Sequence, residues 1–207
     1  MRGKFISFEG IEGVGKSTVM RKICAWLKSQ EIDVVKTCEP GGTHIANRIR
    51  RILLANSREP MTPEAEACLM FASRSQHIHS LIIPSVEKGK WVVSDRFVDS
   101  SYAYQVAGRG IPYEVVSSLD KWVCADVQPD VVYVLDMPVG SARQRISHRP
   151  HDRIECEKEA FFERARQSFL DRAKHEPGRI KVIDSSLPLS TVLENIKDDL
   201  TQRFGLD

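Results

Sequence analysis

Five short apolar runs, rich in β-branched residues, punctuate the chain at 5–9, 34–37, 91–95, 131–136 and 180–184 (FISFE, VVKT, WVVSD, VVYVLD and IKVID). Several are almost continuously apolar and close on an acid or a hydroxyl. Strands covered on both faces, as in a parallel sheet, have this pattern. Between them, apolar residues recur at three- and four-residue spacing. Stretch 18–30 puts Val19, Met20, Ile23 and Leu27 on one face, and 43–54 repeats the pattern with Ile45, Ile49, Ile52 and Leu53. Further helices are expected at 63–89, 112–127, 139–147, 158–175 and 189–204, with Pro84 kinking or breaking the long middle one. Strands alternating with helices predict an α/β fold with a parallel sheet. No internal repeat or low-complexity linker interrupts the alternation. The least regular stretch, 148–157 (HRPHDRIECE), contains Pro150 and reads as a mobile flap.

Composition narrows the class. At 207 residues the chain is long enough for one compact domain with a proper core. Thirty basic residues against 28 acidic ones leave a formal charge of +2. That balance gives no electrostatic footprint for nucleic acid and no reason to invoke a membrane surface. No apolar run approaches the ~18 residues of a membrane span, and the first residues do not read as a signal peptide. Cys24, Cys38, Cys68, Cys124 and Cys156 are odd in number and widely spaced, without a Cys-x-x-Cys pair. Reduced thiols and a cytoplasmic setting are expected, and a zinc site is not.

The first chemistry lies at Gly10-Ile11-Glu12-Gly13-Val14-Gly15-Lys16-Ser17, followed by Thr18. This fits G-x-x-x-x-G-K-[ST], placed after a predicted strand and before a predicted helix. The glycines let backbone N–H groups turn inward around phosphate oxygens, and the helix N-terminus adds its positive end. Lys16 is expected at the β- and γ-phosphates, and Ser17 is placed to ligate Mg²⁺. Neither Asp-x-x-Gly nor Asn-Lys-x-Asp occurs, which argues against a GTPase switch. A small phosphotransferase with a second site for a phosphate acceptor remains.

Three clusters offer that second site. EPGGT, Glu39 to Thr43, follows the second strand and opens a helix bearing Arg48, Arg50 and Arg51. SDRF closes the third strand with Asp95 and Arg96, and DSSYAYQ follows with Ser101, Tyr104 and Gln105. MFASR, Met70 to Arg74, lies on the middle helix. Each brings an Arg, whose planar fork suits an anion.

FEGIEGVGKST, EPGGT, SDRF, DSSYAYQ, DRIE and AFFERARQSFLDRA stand here in the order and spacing of bacterial thymidylate kinases, and nearly the whole chain resembles that family. The resemblance implies a three-layer P-loop NTPase fold, with a five-stranded parallel sheet surrounded by helices. It implies one kinase domain over 1–207 with a lid at about 143–157, and a homodimer. It implies ATP + dTMP → ADP + dTDP with Mg²⁺. Residue by residue, it implies that Arg50 and Arg96 grip the dTMP phosphate and that Arg74, Ser101 and Gln105 meet the base. Tyr104 would sit near the sugar, and Glu12 near sugar and metal. Glu39 would belong to the acceptor site, and Asp95 would organise Mg²⁺, with water between them where needed. The P-loop interior holds no base, whereas Arg143, Arg145, Arg149 and Arg153 crowd the flap. This resembles the branch with catalytic lid arginines, with Arg149 the first candidate and Arg153 the second. An aromatic ring is expected four residues before Arg74, but that position is Met70; Phe71 is three before. Either could cover the base.

Other readings are blander. Arg143 and Arg145 lie on a helical pattern and read as surface or ion-pair residues. His77, His79, His148 and His151 read as exposed histidines, and Phe161, Phe162 and Phe169 as core. The rival functions are a kinase for another nucleoside monophosphate or a deoxynucleoside, and a non-catalytic ATP-binding module.

Overall fold

The computed structural model describes residues 2–148 and 150–206. Its strands are β1 (Phe5–Glu9), β2 (Val34–Cys38), β3 (Trp91–Asp95), β4 (Val131–Asp136) and β5 (Ile180–Asp184). They form one parallel sheet in the order β2-β3-β1-β4-β5. The register pairs Ser7 with Ser94 on one side of β1 and with Val132 on the other. β1 is therefore central, and its five residues are all buried. The expected strands are all present.

The helices are α1 (Lys16–Ser29), α2 (His44–Leu54), α3 (Pro63–His77), α4 (Ile83–Glu87), α5 (Val98–Ser101), α6 (Tyr113–Val123), α7 (Val139–Ile146), α8 (Glu159–His175) and α9 (Leu189–Phe204). Thr43 and Thr62 cap α2 and α3, each side chain accepting from a backbone N–H three residues on. The larger apolar cluster joins β1, β4 and β5 to α1, α8 and α9. A smaller one joins Phe5, Val92 and Phe97 to α3, α4 and α6.

Two stretches depart from the sequence pattern. The expected helix over 63–89 is α3, a π-helical turn (Ile78–Ile82) and α4 in succession. Pro84 does not break the path, because it falls in the first turn of α4, where an N–H is not needed for the helix. The second stretch is helical where no helix was expected: α5 runs into a π-helical segment, Tyr102–Gly108.

The sheet fixes where the chemistry lies. Because all strands are parallel, the turns after β1, β2, β3 and β5 open at one edge. Strand order reverses at β1, so a crevice forms outside the carboxyl ends of the strands.

Candidate active site

A cavity of about 640 Å³ fills that crevice. Its lining joins Glu12 to Thr18 of the phosphate-loop sequence with Glu39, Arg50, Met70, Arg74, Asp95, Arg96, Ser101, Tyr104 and Gln105. The three acceptor-side clusters, far apart in sequence, thus share one space with the loop.

The loop is held from behind. Gly10 and Ile11 do not line the cavity; their carbonyls accept from Lys16 Nζ, each at 2.9 Å. Gly13 has φ of 85°, and a Cβ there would collide with the Ala142 carbonyl of α7. Backbone therefore packs directly on backbone at this point. Lys16 is buried, and burial first, then the Arg96 charge, lowers its pKa to about 8.

Arg96 ties the loop to the end of β3. Its NH1 donates to the Gly10 carbonyl at 2.9 Å and to Ser100 Oγ at 3.0 Å. Its NH2 donates to Glu12 Oε1 at 2.6 Å and to Tyr104 Oη at 2.9 Å. Tyr104 passes the chain on, donating to Glu12 Oε2 at 2.8 Å. Burial raises the Tyr104 pKa well above the ordinary phenol value, so the hydroxyl keeps the proton it donates. Arg96 adopts φ of 73°, a left-handed backbone costly for a side chain of its size. Neighbours hold that turn: Arg96 N–H donates to the Phe8 carbonyl, and Phe97 N–H and Ser100 Oγ donate to Glu9. Burial first, then the Asp99 carboxylate, pushes Glu9 up to about 8.

Arg74 is the largest fully buried side chain. It donates to Glu39 Oε2, to Ser101 Oγ at 3.0 Å and to the Phe97 carbonyl at 3.2 Å. Its guanidinium lies 4.7 Å from the Phe71 ring centroid. The other oxygen of Glu39 faces His77 Nδ1 at 2.9 Å, and His77 Nε2 faces Thr37 Oγ1 at 2.7 Å. His77 is thus fully buried rather than exposed. Gly42 leaves room for it, since a Cβ there would meet the imidazole. Arg50 spends one donor on the Pro40 carbonyl at 2.7 Å and turns to the cavity.

Two expectations about the base are separated. Met70 lines the cavity, whereas Phe71 is 2% exposed, packs in the smaller core cluster and does not line it. Phe71 supports Arg74 from beneath, so its place as a base platform is corrected.

The lid expectations shift as well. Arg149 lies outside the described residues. Arg153 does not line the cavity: its NH2 pairs with Glu66 Oε2 at 2.7 Å, and its Nε donates to the Leu53 carbonyl at 2.9 Å. A buried carboxylate thus engages Arg153 outside the cavity, where the sequence suggests a catalytic arginine. Arg145 lines the cavity instead and pairs with no described residue. Asp152, Ile154 and Glu155 line it too.

Asp95 and Ser17 supply hard oxygen donors on the cavity wall, and no described residue hydrogen-bonds either side chain. That donor set fits Mg²⁺. No cluster of three or more His, Cys, Asp or Glu suited to a metal ion exists among the described residues. The far wall, Ser185, Leu187, Leu189 and Val192, follows β5 and has no counterpart among the expected residues. The strand-end rule for parallel sheets marks it, but no motif does.

The thymidylate kinase family model matches residues 8–196. The chain belongs to the thymidylate kinase family. Among curated relatives, the thymidylate kinase of Ruthia magnifica is 47% identical over 95% of this chain and 96% of its own. That of Nitrosospira multiformis is 45% identical over 99% of this chain and 100% of its own. Among solved structures, the thymidylate kinase of Ehrlichia chaffeensis superposes with a TM-score of 0.78 at 30% identity, covering 97% of this chain and 99% of that one. Family membership makes the chain an ATP-dependent nucleoside monophosphate kinase on a P-loop fold. No helix among the described residues is long and apolar enough to cross a membrane.

Proposed function

We propose that this chain moves the γ-phosphoryl group of ATP onto the phosphate of dTMP, giving ADP and dTDP. One observation carries the reading: a single cavity joins the phosphate-loop wall, Glu12 to Thr18, to a wall bearing Arg50, Arg74 and Arg96. A donor phosphate chain and an acceptor monophosphate have a place in the same space.

In this reading the loop amides and Lys16 hold the β- and γ-phosphates, and Leu187, Leu189 and Val192 border the apolar end of the ATP site. Arg50 and Arg96 hold the acceptor phosphate. Arg74, Ser101 and Gln105 face the base edge, with Met70 against its face. Tyr104 and Glu12 lie toward the sugar. Glu39 acts chiefly by holding Arg74, since Arg74 and His77 occupy both of its oxygens. Asp95 and Ser17 would hold Mg²⁺. When bound, that ion neutralises charge on the phosphate oxygens. The acceptor phosphate is itself the nucleophile, so the chain supplies positioning and positive charge rather than a strong base. Arg145 and Arg149 supply the lid's charge, in one kinase domain whose lid spans about 143–157.

A homodimer is part of the proposal. Ile45 and Ile52, seven apart on α2, are exposed, as are Val115 and Trp122, seven apart on α6, with Trp122 at 81%. α2 and α6 both pack on α3. Five free cysteines suit a reducing, cytoplasmic setting.

The test is purified protein with MgATP and each common nucleoside monophosphate, following ADP release. The expected result is selective turnover of dTMP. Turnover of AMP or CMP without dTMP reassigns the acceptor. ATP binding with no turnover on any acceptor replaces the kinase reading with a binding module.

A further inference from the structure

Glu66 stands in the first turn of α3, 1% exposed, and does not line the cavity. Three side chains converge on its carboxylate. Gln105 Nε2 donates to Oε1 at 2.9 Å. Arg109 Nε donates to both oxygens at 3.2 Å, and Arg153 NH2 pairs with Oε2 at 2.7 Å. Burial alone would raise the Glu66 pKa, but hydrogen bonds from Arg109 and Gln105, with the Arg109 charge, hold it below the ordinary carboxylate range. The group is therefore ionised, and an ionised carboxylate only accepts.

That fixes the carboxamide of Gln105. Its NH₂ must face Glu66, which leaves Oε1 for the cavity that Gln105 lines. No described residue donates to this oxygen. Arg74 lines the same cavity and spends three of its five N–H groups on Glu39, Ser101 and Phe97. The base end of the site thus offers a donor, Arg74, and an acceptor, Gln105 Oε1. A 4-oxo pyrimidine complements that pair, with O4 accepting and N3–H donating. A 4-amino pyrimidine presents the opposite order, its amino group donating and its N3 accepting.

We propose that Glu66 is a positioning residue that locks the polarity of the Gln105 amide, and so makes the acceptor site choose a 4-oxo over a 4-amino pyrimidine monophosphate. The proposal rests on the acceptor reading given above. Glu66 touches no substrate. Its influence runs through Gln105, while Arg109 and Arg153 keep it charged.

The test compares kcat/KM for dTMP, dUMP and dCMP in the wild type and in Glu66→Gln. A glutamine at 66 satisfies the Gln105 amide in either orientation, so the lock is released. The dTMP-over-dCMP ratio should fall about ten-fold, the scale of one hydrogen bond, mainly through KM. The dTMP-over-dUMP ratio should hold, because the 5-methyl group plays no part in the lock. A merely structural role would lower all three substrates alike. An unchanged dTMP-over-dCMP ratio with an active wild type overturns this proposal alone. A wild type that does not phosphorylate dTMP overturns the acceptor reading and this proposal with it. If Glu66→Gln melts below the assay temperature, Glu66→Asp carries the test, because it keeps a negative charge for Arg109 and Arg153 but draws the acceptor back from Gln105. The same ten-fold fall supports the proposal, and an unchanged ratio overturns it.

Discussion

Arg74 donates through Nε to Glu39 Oε2 at 2.8 Å, and both side chains are almost wholly buried. Removing one member of such a pair leaves the other charge without compensation. Glu39→Ala should therefore lose about 3–5 kcal/mol of stability by urea unfolding. It should also raise the KM for dTMP by about ten-fold or more, because Arg74 no longer has a fixed direction. A stability loss below about 1 kcal/mol would show that the pair is dispensable.

Lys16 gives a pH signature. Burial and Arg96 lower its pKa to about 8 in the protein alone. Phosphates placed beside it favour the charged form and raise that value. Near pH ~8.5 the free protein holds this amine mostly neutral, so ATP binding should take up protons there. The uptake should fade below about pH 7, where Lys16 is already charged. Calorimetry in buffers of different ionisation heat reads the effect, and Lys16→Met should abolish it. Proton release at the higher pH would contradict the assignment.

The neighbours Met70 and Phe71 should part company. Phe71→Ala empties a packed core position and should cost about 3–5 kcal/mol in unfolding. Met70→Ala opens the cavity wall at a half-buried residue on the edge of the core. It should lower the melting temperature much less than Phe71→Ala does and raise the KM for dTMP several-fold. The reverse pattern would place Phe71 at the base.

Much of this was legible in the sequence because the signals were local. Five apolar runs marked five strands, and G-x-x-x-x-G-K-S between strand and helix marked the loop. Val98 to Gly108 escaped because its buried residues include Asp99, Ser100, Ser101 and Gln105, which make no apolar stripe at helical spacing. His77 escaped because its partners, Glu39 and Thr37, are about forty residues away and reach it only after the sheet forms. Arg153 looked like a lid cation because the sequence shows its charge and its loop. It does not show Glu66, which meets it from α3.

The lid arginines should respond differently. Arg145→Ala should lower kcat roughly 10–1,000-fold with little change in the KM for dTMP, as expected of a group that stabilises developing charge. Arg149→Ala should act in the same way. Arg153→Ala should act instead on stability, measured by thermal melting, since it leaves Glu66 with one less cation. A full kcat loss at Arg153 with Arg145→Ala unaffected would exchange their roles.

The contact of Gly13 with the Ala142 carbonyl also decides where motion is possible. A loop and a helix that meet without side chains between them have no slack to slide against each other. The middle of α7 is thus pinned to the phosphate loop at Ala142. Any side chain at position 13 would push the two apart, so the shape of the phosphate loop and the place of this helix turn can change only together.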